Sequence, residues 1–455
     1  MNIMKKSITL IILILTVTLS YGQNNCWSKI AASGVTTIAL GSDGTLWSWG
    51  NGANGKLGLG DVNNRSVPTQ IGTDNDWQTI SANAAIKTNG TLWVWGNNNL
   101  GQLGLGDIND RLVPTQLGTG TNWLTVTLGY AGHSLAIKTD GTLWSWGYGG
   151  SGQLGNGNSS ALSPVQVGTA TNWRSVSTGS NMSYATTTAN TLWVWGLNST
   201  RELGLFNNGT DQEYPTVRTG SWLISSAGAY HGLGVRVDGT LYAWGDNGMG
   251  RLGLGTNTQV SNSTKVGTDT DWLKVVAGLY QTVAIKSNGT LWSWGYNNYG
   301  QLGQGTIGGN HYSPTQIGTD TDWQDVAIGS YYGVALKASG EIYTWGRNEY
   351  GQLGHGDTVN SSSPVLLNCP AALHLESFNL HNFKMYPNPV KDNLTISLDT
   401  EITAVSIYNM LGQEVISKSI DGNEGVIDVS KLRGGTYFVK VAVGNEVKVV
   451  KILKE

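Results

Sequence analysis

The chain has 455 residues, a net charge of −3 and only 13% charged residues, which excludes the clustered Lys and Arg that a nucleic-acid partner requires. Gly (64) and Trp (19) stand well above ordinary usage, and the length admits one large architecture plus an appendage.

At the N-terminus, Lys5 and Lys6 precede an apolar run over 8–19, and Ser20 and Gly22 sit at the −3 and −1 positions of a cleavage before Gln23. This predicts a signal peptide over 1–22. The run is short for a membrane span, and no later stretch is long and apolar enough for one. The mature protein is expected outside the cytoplasm, secreted or on the outer cell surface, without a membrane span.

"GNGANGKLG" follows at 50–58. Gly50, Gly55 and Lys56 imitate a phosphate loop, but Leu57 stands where a Mg²⁺-binding Ser or Thr belongs. The same slot reads "GNNNLGQLG", "GYGGSGQLG", "GLNSTRELG", "GDNGMGRLG", "GYNNYGQLG" and "GRNEYGQLG" further on, so it belongs to a repeat.

The repeat is most visible in "DGTLWSWG" ending at Gly50, with related octapeptides ending at Gly96, Gly147, Gly196, Gly245, Gly295 and Gly346, spaced 46 to 51 residues apart. A second Trp opens each unit: Trp27, Trp77, Trp123, Trp173, Trp222, Trp272 and Trp323. Within a unit the apolar residues alternate, and "DG" or "NG" marks a tight hairpin. Each unit therefore predicts four short antiparallel strands, and the chain an all-β fold: a seven-bladed β-propeller over 26–369. Trp47 and Trp49, two apart, point to one face and wedge against the next blade. A linker over 370–382 and a C-terminal domain over 383–455 complete the chain.

Cys26 and Cys369 are the only cysteines. In repeat frame they fall at the start of blade one and the end of blade seven. A closed ring brings them within bridging distance, so a Cys26–Cys369 disulfide is expected to latch it.

The pattern "GHSLAIKTDGTLWSWG…GQLGNG" resembles the regulator of chromosome condensation repeat. That family forms seven-bladed propellers and includes a nuclear exchange factor for the Ran GTPase and a secreted β-lactamase inhibitor, so the resemblance implies fold and not function. Guanine-nucleotide exchange is implied by resemblance only: no repeat carries an insertion long enough for the exchange factor's β-wedge. Inhibition of an extracellular or periplasmic enzyme is the other implied activity.

In the tail, "YPNPVKDNLTISL", "AVSIYNMLGQEVI" and "IDVSKLRGGTYFVKV" read as a small β-sandwich. They resemble the type A C-terminal sorting domain of type IX secretion, which implies that machinery as a partner.

No motif for catalysis emerges, and no cofactor or metal is expected. The six His residues show no zinc spacing. "GQGTIG" at 303–308 has dinucleotide-fingerprint letters but no crossover helix. Acid pairs such as Asp320 and Asp322 read as turn residues, with rim Ca²⁺ as the alternative.

What varies among repeats points to a contact surface. One ring holds Thr36, His133, Met182, His231, Gln281 and Tyr332, preceded by Tyr230, Tyr280 and Tyr331 in blades five to seven. A second ring, after the Trp-Gly pair, holds Tyr148, Tyr296 and Arg347, followed by Tyr299 and Tyr350. Blade two has lost the first of these loops. In an up-and-down blade both rings emerge on one face. The expected function is binding of an extracellular protein or glycan by this Tyr-rich face, by a monomeric, non-enzymatic module.

Overall fold

The computed structural model describes residues 26–205, 209–370, 383–409, 414–443 and 446–455. The signal segment and most of the linker lie outside them. The chain divides into two compact units, Met1–Leu373 and His374–Glu455.

The first unit holds seven four-stranded sheets, each an antiparallel meander of consecutive strands. Blade three is representative: Trp123–Leu128, His133–Lys138, Leu143–Tyr148 and Ser160–Gln166. Its central hairpin explains the repeated "DGTLW". Gly141 takes φ +77°, the left-handed conformation such a turn requires. The Asp140 carboxylate accepts from the Thr142 N–H at 3.0 Å and from its hydroxyl at 2.6 Å. Thr142 Oγ1 in turn accepts from Trp144 Nε1 at 2.8 Å. The same relay runs through Asp43, Thr45 and Trp47, and through Asn288, Thr290 and Trp292.

The paired tryptophans do share a face, but they wedge against the preceding blade. In blade three Trp146, its pair partner Trp144 and Trp123 of strand one pack in a cluster with Ile86, Leu92 and Leu103 of blade two. The Trp of each Trp-Gly pair also reaches back with its N–H. Trp146, Trp195, Trp294 and Trp345 donate to the main-chain carbonyls of Gln102, Gln153, Arg251 and Gln301 at 2.8–2.9 Å. Glycine beneath each indole is obligatory: a Cβ would stand 2.9 Å from Trp146 at Gly104 and 2.6 Å from Trp195 at Gly155.

The ring closes by the same packing, without the indole hydrogen bond at Trp49. Trp27, Trp47 and Trp49 pack with Val334, Leu336 and Leu353 of blade seven. Thr37 Oγ1 donates to the Gln352 carbonyl at 2.9 Å, and Ser330 N–H to the Gly34 carbonyl at 2.7 Å. Every blade is built from its own consecutive strands, so no shared strand fastens the ends. The Cys26–Cys369 disulfide does so, with a Cα–Cα distance of 6.1 Å across 343 residues of sequence.

The second unit is one five-stranded sheet. Its register breaks between Ser397 and Ile402 of the long strand Asn393–Tyr408, and both halves contribute to one core, with Leu394 and Ile396 beside Val405 and Ile407. A parallel bridge from Val390 to Lys454 seats the last strand.

A cross-link closing so long a loop removes much unfolded-state entropy. Cys26→Ser is expected to lower stability by up to about 5 kcal/mol. Denaturant titration of the variant, and of the native chain with and without reductant, checks this; coincident curves would refute it.

Candidate functional site

The strand one–two corner and the loop after strand three meet on one face of each blade. The structure separates the thirteen expected contact residues of that face into two sets.

His133, Met182, His231, Gln281 and Tyr332 do not reach the accessible surface: each is 0% exposed. This corrects the expectation that they meet a ligand. Each opens strand two opposite the Gly of the Trp-Gly pair, for example His133 opposite Gly147. Each side chain fills space left by the Gly that follows strand one. A Cβ on Gly129 would lie 2.4 Å from His133, and one on Gly329 would lie 1.7 Å from Tyr332.

Most of these side chains join one blade to the next. Tyr332 donates to the Thr36 carbonyl at 2.7 Å, and Gln281 Nε2 to the Gly329 carbonyl at 3.1 Å. Ser183 Oγ gives its proton to the Gln153 carbonyl, so it accepts from His133 Nε2 at 3.0 Å. His231 and Thr282 repeat this pairing at 3.4 Å. Burial holds the His133 imidazole down to about 4; burial, then the nearby Arg251 guanidinium, holds His231 well below its ordinary range. The one sequence signal for this inward turn is the pairing of a variable large residue with the Gly that follows strand one in blades three to seven.

The other eight remain at the surface. Tyr148 and Tyr230 are each 38% exposed. Tyr280, Tyr296, Tyr299, Tyr331, Arg347 and Tyr350 are half-buried. Four of them form one cluster across blades six and seven. Tyr280 stacks on Tyr331 with ring centroids 6.0 Å apart and planes 24° from parallel. Tyr299 lies 5.2 Å from Tyr331, and Tyr296 touches all three other rings at 6.0–6.4 Å.

Two guanidinium groups flank the cluster. Arg347 sits 4.9 Å from Tyr299 and 5.5 Å from Tyr331, paired with Glu349. Arg251, which sequence reasoning missed, sits 4.8 Å from Tyr280 and 3.1 Å from Asp246. Burial, then the neighbouring phenols of Tyr280, Tyr296 and Tyr299, raises the Tyr331 hydroxyl pKa above its ordinary value. The result is a neutral aromatic platform flanked by two ion pairs, Arg251–Asp246 and Arg347–Glu349.

The acid pairs lie at the opposite end of the blades and already hold a cation. Asp320 and Asp322 grip Lys337 Nζ at 2.7 and 3.1 Å, and Asp269 and Asp271 grip Lys286 at 2.6 and 3.2 Å. Each ammonium lies over two aromatic rings, 4.8 and 4.5 Å from Trp272 and Trp292 for Lys286. Asp74 and Asp76 treat Lys87 likewise. Among the described residues no group of His, Cys, Asp and Glu is placed to hold a metal, and no helix is long and apolar enough to cross a membrane.

Residues 43–84, 89–137, 140–186, 238–285, 288–336 and 339–375 match the regulator of chromosome condensation (RCC1) repeat. The chain belongs to the RCC1 repeat family. Residues 384–455 match the secretion system C-terminal sorting domain. Human E3 ubiquitin-protein ligase HERC2 is 50% identical over 42 residues, 9% of this chain and 1% of that protein. This RCC1-repeat chain therefore spans a very small part of that curated relative. Human WBSCR16 superposes with a TM-score of 0.64 at 20% identity, covering 72% of this chain and 94% of its own. Yeast RCC1 (Prp20), in its structure with Kap60, gives 0.64 at 18% identity, covering 82% and 90%. At these identities the likeness is one of fold.

The buried imidazoles set an acid limit. The unfolded chain takes up protons below about pH 6.5, whereas folded His133 resists until about 4. Stability is therefore fully present above pH 6.5 and falls as pH drops towards 4, by roughly 3 kcal/mol from His133 alone. Denaturation midpoints between pH 7 and 4.5 should fall, and His133→Gln should flatten the slope. A slope unchanged in that variant would count against His133.

Proposed function

We propose that this protein is a secreted or surface-displayed binding module, exported by type IX secretion through its C-terminal domain. The Tyr280–Tyr296–Tyr299–Tyr331 cluster is its contact surface, with Arg347 at its edge, while buried Arg251 supports the Tyr280 ring. The observation that carries the reading is the cluster itself. Four half-buried phenols contact one another on the loop face, where blades two and four carry Asn97, Leu100, Asn181, Leu197 and Thr200 at the matching slots. Tyr rings offer large contact area at low entropic cost, and Arg347 at their rim complements polar partners. Propellers of this family are interaction scaffolds, and no catalytic step is assigned. Tyr148, Tyr230 and Tyr350 extend the same face.

The ligand is an extracellular protein or glycan. An inhibitor of an extracellular enzyme would use the same face and would register as inhibition in an enzyme panel. Tyr280→Ala and Tyr331→Ala, singly, are expected to weaken capture of the ligand from the native cell surface or a glycan array by at least about tenfold, or about 1.4 kcal/mol, with the melting temperature little changed. Undiminished capture by both variants would refute the assignment.

A further inference from the structure

On the same face, blade two turns its first corner in fewer residues than its neighbours. Ser81 pairs directly with Ala84, whereas in blade three Leu128 pairs with Ser134. The missing residues remove a wall, and a cavity of about 160 Å³ opens between blades one and three. Its polar lining is Lys56, Asn83, Asn97, Gln102, Tyr130 and Ser33. Ser33, Ala82, Leu128 and Tyr130 also line the central channel, so the notch is the channel's mouth.

Lys56 is the departure that gives this notch its chemistry. In four other blades the slot holds Gln102, Gln153, Gln301 or Gln352. There the side-chain oxygen folds back to accept the backbone N–H two residues earlier, at 2.8–2.9 Å. An ammonium cannot accept that bond. The Lys56 carbonyl keeps its joint role, receiving Trp95 Nε1 at 3.1 Å and Asn83 Nδ2 at 2.7 Å. Its ammonium has no partner among the described residues. No carboxylate lines the cavity. In the channel, by contrast, Lys274 is paired with Asp325. The notch therefore presents one uncompensated cation, with Asn97 Nδ2 beside it as a donor and the Tyr130 ring as apolar surface.

We propose that this notch binds a single hexuronic acid residue, its carboxylate on Lys56 and its hydroxyls on the Asn and Gln amides. An uncompensated cation beside amide groups selects an acid that also carries hydroxyls, and a cavity of about 160 Å³, below the roughly 300 Å³ at which drug-sized pockets begin, suits one ring at a time. A charge-assisted hydrogen bond gives the acid its preference over the neutral sugar. The site uses none of the clustered tyrosines and stands independently of their role.

The test titrates the purified protein, tail included, with glucuronate, galacturonate, their oligomers and neutral galacto-oligosaccharides, by calorimetry or NMR. The acidic sugars are expected to bind at least about tenfold more tightly than the neutral ones, less so in high salt. Lys56→Gln installs the residue of the neighbouring blades, so it should fold normally while losing that preference. Tyr280→Ala should leave it intact. Tighter binding of oligomers than of monomers would identify a glycan chain as the source, and equal binding a free sugar acid. Equal affinity for acidic and neutral sugars, no binding at millimolar concentration, or an unchanged Lys56→Gln variant would overturn the proposal.

Discussion

Six of the seven blades are tied to the one before by a buried polar contact in which an indole N–H meets a main-chain carbonyl, and the rest of the propeller is arranged around it. Trp146 on Gln102 and Trp195 on Gln153 are two instances. A buried N–H without a partner costs about 1–3 kcal/mol, so the loop offering the carbonyl must hold one position. The Leu-Gly step supplies that position, because only Gly lets the backbone lie against the ring. One contact thus accounts for the Trp-Gly pair, for Leu-Gly and for the length of the loop between them. At the closing joint Trp49 Nε1 has no such partner, and Thr37 and the disulfide take over.

The contact uses the backbone of the residue before Leu-Gly and leaves its side chain free to differ. Gln, Glu, Arg and Lys all occupy that slot. Glu202 and Arg251 are buried there, whereas Lys56 opens onto the notch. The same separation holds at the blade corners, where the position before strand two is open to solvent and the first residue of strand two is sealed between blades. Variation among repeats therefore has two physical meanings. At Tyr280, Tyr299 and Tyr331 it alters the accessible face; at His133, Gln281 and Tyr332 it alters how two blades fit.

This is why the fold was legible and half of the site was not. Strand number, blade number and the disulfide follow from repeated apolar alternation, hairpin dipeptides and the frame positions of Cys26 and Cys369. Strand alternation also puts both variable rings on one face. Alternation says which way a side chain leaves a strand, but not whether a neighbouring blade covers it. The acid pairs show the same limit. "TDTDW" suits a turn or a cation, and only the position of Lys337 over Trp323 and Tyr343 shows that the protein supplies its own cation.

The sequence by itself determined the architecture, because its signals are local and recur from blade to blade: period-two alternation, left-handed hairpin turns and a Trp-Gly step in all seven units. It also determined the nature of the tail, through three motifs in order. Tertiary structure alone decided which variable residues share a surface. Tyr280, Tyr331 and the pair Tyr296 and Tyr299 come from three separate loops, and they meet because adjacent blades bring their loops together. It likewise decided the standing of "GNGANGKLG". Its glycines serve an inter-blade joint, and its Lys faces a cavity that exists only because the neighbouring blade lacks part of a corner.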